Sequence, residues 1–241
     1  MQQRYLGDIH DFQKFIFVKF LSCAFKQKIG LNWYLVDPTK IGKKEVNKKD
    51  GEKRYFLQKN EFKTIDRKIY DEFVKLKSKK SRNINSFTKN THMSQYVSFY
   101  NKKIPLLNRE KWLVDSLSVF KKKDIIFLDP DNGLLKTTKS KKISLKYVLV
   151  NEIEYYLSKK KVVIFTQFQS FNKTNIVYLK EIKNFLKMKN IKIKCPVVIN
   201  KTAPNTIFIP LCSDKKMELK LKSTIKKYCS FYDKRVRSVT I

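Results

Sequence analysis

A chain of 241 residues with 42% apolar and 13% aromatic side chains buries a sizeable core, which excludes a disordered protein. Its formal net charge of +33 attracts polyanions in a salt-dependent way, so nucleic acid is the expected partner, although 47 lysines against 7 arginines is also what codon usage in an A- and T-rich genome produces. No apolar run reaches the roughly 18–20 residues of a membrane span, the opening MQQRYLGDIHDF has no leader-type apolar region, and Cys23, Cys195, Cys212 and Cys229 form no CxxC pair, so a soluble cytoplasmic protein without a zinc site or disulfide framework is expected.

Short β-like runs alternate with helical ones, the pattern of an α/β fold with a mostly parallel sheet. A helix is expected over 11–26, with Phe12, Phe15, Ile16 and Phe20 marking a 3.6-residue period and Gly30 as its stop. A strand over 32–36 ends in Asp37-Pro38, residues 39–53 form a polar loop, and 54–58 read as a second strand. Residues 64–80 are expected as helix, 81–92 as loop, and 96–100 as a short apolar stretch before Pro105. Asn108 caps a helix to about 121, and 124–128 form a strand. Ser144 caps a helix to 159, and 162–167 form an apolar strand buried on both faces. A helix over 175–189, strands over 191–199 and 206–211 separated by a turn at 200–205, and a basic helix over 214–229 complete the chain. No internal repeat or domain boundary is visible, so 1–241 reads as a single domain with room for a helical insertion around 60–121.

Five glycines, Gly7, Gly30, Gly42, Gly51 and Gly133, build neither GxGxxG nor GxxxxGK[ST], which argues against a P-loop or ordinary dinucleotide site, and no GxSxG elbow is present. What remains is a set of polar residues at strand ends, where open parallel sheets bind ligands. Asp37 follows the first strand, Asp129, Asp131 and Asn132 the central one, and Gln167 the next. The stretch IIFLDPDNGLL (125–135) reads in two ways: as acids delivered to a functional crevice, or as a polar turn with Gly133 left-handed. Trp33 reads as a ring to stack on adenine or as core. His10 holds a substrate or caps a helix, His92 lies in a solvated loop, and Lys14 is a site residue or a surface lysine.

Gly7-Asp8-Ile9-His10-Asp11-Phe12-Gln13-Lys14 resembles the opening G-N-x-x-D-x-x-K of the large-subunit ribosomal RNA adenine methyltransferases, Trp33–Asp37 their first strand with its terminal acid, and 124–130 their fourth strand, which ends in D-P-P-Y. The resemblance implies a Rossmann-like class I methyltransferase sheet, mostly parallel with a C-terminal antiparallel strand pair. It also implies S-adenosylmethionine (SAM) held by Asp8, His10, Asp11, Lys14 and Asp37, with Lys14 near its carboxylate, and a nucleic-acid adenine amine oriented by Asp129 and Pro130. Asp131 and Asn132 stand in place of the second proline and the stacking aromatic, and Asp37-Pro38-Thr39-Lys40-Ile41-Gly42 in place of the family's glycine-containing loop.

Three functions follow as expectations. One is SAM-dependent methylation of nucleic acid, with Asp129, Pro130, Asp131 and Asn132 as its catalytic turn. Another is non-catalytic nucleic-acid binding on a degenerate methyltransferase fold. The last is Mg²⁺-dependent phosphodiester cleavage, with Asp37, Asp129 and Asp131 as hard oxygen ligands.

Overall fold

The computed structural model describes residues 1–48, 53–202 and 205–241; parts of the expected polar loop (49–52) and of the expected turn (203–204) lie outside them. The first helix, α1 (Ile9–Phe25), starts before residue 11 because the Asp8 carboxylate accepts the amides of His10 and Asp11 and so caps it. It closes at Lys26 in a left-handed conformation, φ 53°. Gly30 is not its stop. That glycine sits inside β1 (Ile29–Asn32), where a Cβ would fall 2.7 Å from the Phe120 ring, so its bareness serves packing on the strand. The first strand therefore starts three residues before the expected 32–36, and Trp33–Val36 lie beyond it, with an isolated parallel bridge from Leu35 to Lys103.

After β1 come α2 (Pro38–Ile41) and α3 (Lys43–Val46) within the expected polar loop. A 3-10 turn over Tyr55–Gln58 stands where a strand was expected. Of the helix expected over 64–80 the α-helical part is α5 (Arg67–Lys75), which opens where the Asp66 carboxylate accepts the Ile69 amide, while α4 (Asn60–Lys63) precedes the expected range. The expected loop at 81–92 contains α6 (Ile84–Asn90), capped by Asn83, and His92 begins a further 3-10 turn. Then follow β2 (Val97–Tyr100), α7 (Arg109–Val119) and β3 (Ile125–Leu128). Asn108 precedes α7 in a left-handed conformation and makes no side-chain cap bond. Ser144 ends α8 (Lys141–Ser144) rather than capping a long helix, and α9 (Val150–Ser158) starts anew. The chain finishes with β4 (Val162–Phe168), α10 (Asn175–Lys187), β5 (Val197–Asn200), β6 (Thr206–Leu211), α11 (Lys215–Phe231) and an unanticipated β7 (Val236–Val239).

Among the described residues the sheet has seven strands in the order β2-β1-β3-β4-β6-β5-β7. β2, β1, β3 and β4 run parallel, β6 is antiparallel to both β4 and β5, and β7 is antiparallel to β5. The α/β class, the parallel first half and the late antiparallel pair thus agree with the expectation. Alternate strand residues divide between two cores. Ile125, Phe127, Ile164 and Phe208 pack against α1, α5, α6 and α11 on one face. Ile126, Leu128, Val163 and Phe165 pack against α7, α9 and α10 on the other. Burial on both faces explains why these strands read as continuous apolar runs. No helix among the described residues is long and apolar enough to cross a membrane.

Candidate functional site

Where β3 ends, the chain turns through Asp129-Pro130-Asp131-Asn132-Gly133. Gly133 has φ +82°, and a Cβ on it would lie 2.3 Å from Gln167 Oε1, so the turn needs glycine twice over. Gln167 Oε1 accepts the Leu134 amide at 2.8 Å, the Asn132 amide donates to Lys146 O at 2.8 Å, and Gly133 O accepts the Val148 amide at 2.9 Å. These bonds hold the turn rigidly against the end of β4 and the 146–148 segment. The left-handed glycine of a polar turn and the delivery of an acid to the sheet edge are therefore both present.

Asp129 is 7% exposed and does not face water alone. Its Oδ2 lies 2.5 Å from Lys14 Nζ, and its Oδ1 accepts the Thr166 hydroxyl at 3.0 Å. Lys14, 2% exposed, also donates to Asp11 Oδ1 at 2.6 Å, a pairing that follows from their i, i+3 spacing on α1. Asp11 Oδ2 in turn accepts the Gly7 amide at 2.8 Å. Lys14 is thus a buried cation between two carboxylates, not a surface residue, and it rests 4.4 Å from the centre of the Trp33 ring. That ring is fully buried and stacks on Phe99, which settles Trp33 as core.

Above this cluster opens a cavity of about 380 Å³, bounded by the start of α1, the turn after β3, the end of β4 and the start of β6. Of the residues expected at a site, Asp8, His10, Asp11, Lys14, Asp129, Pro130, Asp131 and Asn132 all line it. Asp37 does not. It caps α2 through the Thr39 amide and pairs with Lys103 at 2.9 Å, an arrangement that holds its carboxyl down at about 2. Asp131 is also committed: Gln2 Nε2 donates to it at 2.8 Å and the Met1 nitrogen lies 3.0 Å away. Of the three acids expected to share a Mg²⁺ ion, Asp129 and Asp131 therefore line the cavity, each on partners of its own, and Asp37 lies outside it. No group of three or more His, Cys, Asp or Glu side chains that could hold a metal occurs among the described residues.

Burial sets the electrostatics of the floor. It raises the Asp8 carboxyl well above the usual range, helped by the charge of Asp11, and raises Asp11 as well, against the pull of Lys14. Burial alone would lower Lys14, but the carboxylates of Asp11 and Asp129 outweigh it and keep the ammonium charged. His10 is pushed down to about 4 by burial and by Lys53 and Lys14. Its Nδ1 is 2.5 Å from Thr206 Oγ1 and its ring meets Phe168 edge-on at 5.4 Å, so it lines the cavity as a neutral imidazole.

A depressed histidine binds its proton in the unfolded chain before it does so in the folded one. Stability is then lost as pH falls from about 6.5 towards 4, by up to about 3 kcal/mol from this group. His10→Gln should remove that part of the slope in urea titrations at pH 7 and 4.5. An unchanged slope would show that the imidazole is solvated.

The remaining walls were not anticipated. Phe168, Phe171 and Tyr178 supply rings, Thr166 and Thr206 hydroxyls, and Lys48 and Lys53 the basic rim, while Lys146 is buried and paired with Glu45 at 2.9 Å. Phe171 is 82% exposed. One signal was available in the sequence: Phe171 is a lone aromatic within the polar run 169–174, directly after a buried parallel strand. The lysines came from distant loops with no local pattern to mark them. His92 is half-buried with its ring edge against Tyr96, outside this cavity.

Comparison with known proteins finds no match to this chain, whether among family models, curated proteins or solved structures.

Proposed function

We propose that the protein binds nucleic acid and takes one unstacked nucleotide into the cavity over Asp129, on a sheet of the class I methyltransferase type. The sheet reading is supported by strand order: β1 and β3 are neighbours that continue outwards in opposite directions, and an antiparallel strand enters after β4. The observation that carries the function is the mouth of the cavity. Phe171 presents a nearly free ring beside Phe168 and Tyr178, over a polar floor and under a lysine rim, in a chain of net charge +33. Aromatic faces take bases of any sequence, and lysines track the backbone. The ring that is missing at Asn132 is thereby replaced from the loop after β4.

The test is fluorescence anisotropy with labelled single-stranded RNA and DNA across a salt series. Binding should weaken steeply with salt. Phe171→Ala should weaken it roughly 5- to 150-fold, the value of about 1–3 kcal/mol for one base stack, without loss of fold, because the ring is exposed. No binding at low salt would end the proposal, and equal binding by the variant would move the contact away from this cavity.

A second reading, methyl transfer from SAM to a base, is favoured by one observation, the meeting of Asp129-Pro130 with Lys14 and Asp11 at one cavity. Phosphodiester cleavage through Mg²⁺ has no such support, since Asp37 lies outside the cavity.

A further inference from the structure

We infer that the cavity is a one-ligand site and that the place a SAM molecule would occupy across β1 is filled by the chain itself. In a doubly wound sheet the ligand crevice lies at the carboxyl ends of the two strands where the order reverses, here β1 and β3. In this protein the cavity stands one strand further on, against β3, β4 and β6.

The exit of β1 is closed by several independent contacts. Tyr34 and Val36 are 0% and 2% exposed. Tyr34 is held at φ 46°, its amide bonded to the Asn32 side chain at 3.1 Å and its hydroxyl to Glu152 at 3.0 Å. The Val36 amide donates to Met1 O at 2.8 Å, and the Met1 nitrogen donates back to Tyr34 O at 2.8 Å. A cofactor approaching this segment would meet side chains rather than bare backbone, and Pro38 offers it no amide.

Two of the groups that the resemblance assigns to SAM are likewise spoken for. Asp37 is bound to Lys103, and Lys14, expected at the cofactor carboxylate, is bound to Asp11 and Asp129. At the carboxyl end of β2, Asn101 donates to Asn85 and Thr88. The open volume of about 380 Å³ lies near the small end of ligand pockets, about 300–1,000 Å³, which suits one nucleotide but not a nucleotide together with a second adenosine-bearing molecule.

The inference rests on the nucleotide reading only for the identity of the ligand, and the two are tested separately. Equilibrium dialysis of the full chain against labelled SAM, and against S-adenosylhomocysteine, should show no saturable binding up to about 1 mM. Anisotropy with a single-stranded RNA, first without and then with S-adenosylhomocysteine at that concentration, should give the same affinity. Saturable binding of either cofactor in this range, or an RNA affinity that changes on adding it, overturns the inference and leaves nucleic-acid binding standing. RNA and DNA that fail to bind without cofactor overturn the nucleotide reading instead.

Discussion

Lys14→Met is expected to destabilise the protein by about 3–5 kcal/mol at neutral pH, the cost of removing one partner from a buried ion pair. The lysine lies between Asp11 and Asp129 with both donor distances under 3 Å, and its side chain is only 3% exposed. Its loss leaves two carboxylates facing each other without a cation and away from water. Burial already raises Asp11 with Lys14 in place, and the substitution removes the ammonium that opposes that rise. A carboxyl raised in the folded state takes up its proton there first, so the deficit is full at neutral pH and shrinks as pH falls towards the ordinary carboxylate range, about 4. Urea unfolding of wild type and variant at pH 7.5 and pH 5 measures both parts. A loss below about 1 kcal/mol, typical of exposed pairs, would mean that water reaches the cluster. Adding Asp129→Leu to Lys14→Met should recover part of the loss, because it removes one of the two stranded charges.

Glu152→Gln should cost about 3 kcal/mol or more by the same physics on the opposite face of the sheet. Glu152 is 1% exposed. Its carboxylate accepts Arg109 Nε at 2.6 Å and Nη2 at 2.9 Å, the Tyr34 hydroxyl at 3.0 Å, and the Leu149 amide at 2.8 Å. A neutral amide cannot accept all four and leaves the guanidinium without its counter-charge. The variant also releases Tyr34, so its loosening should be centred on the exit of β1. Hydrogen exchange of the Val36 amide reports this directly, since that amide is bonded to Met1 O across the same segment. Faster exchange at Val36 with protection retained in β4 is the expected pattern. Uniform loss of protection would instead place Glu152 in the global core.

Much of the sheet was legible in local pattern. The runs at 125–128 and 162–165 stand out because they are buried on both faces and apolar at every position, with Thr166 and Gln167 following as the polar end of the second strand. Strand β1 was harder. Trp33-Tyr34-Leu35-Val36 is the most β-like stretch nearby, yet the strand is Ile29–Asn32, where glycine and asparagine lower the local propensity. Packing against Phe120 outweighs propensity there, and it requires Gly30. The helices read at 64–80 and 144–159 start later, at Arg67 and Val150, because the Asp66 carboxylate accepts the Ile69 amide and the Glu152 carboxylate the Leu149 amide, and each opens its first turn there.

What the sequence by itself determined is the class of the fold, the acid-bearing turn after β3 and the basic character of the surface, because each follows from local pattern or composition. Only the tertiary structure decided what those acids do. Asp11 and Lys14 are paired by helix spacing, but their union with Asp129 joins positions 115 residues apart. Phe171 and the rim lysines reach the same cavity from separate loops and Thr206 from the start of β6, and Asp37 is drawn away from it by Lys103. Such meetings depend on the strand order and the register of the sheet, which bring distant residues to one edge through backbone hydrogen bonds that carry no mark of side-chain identity.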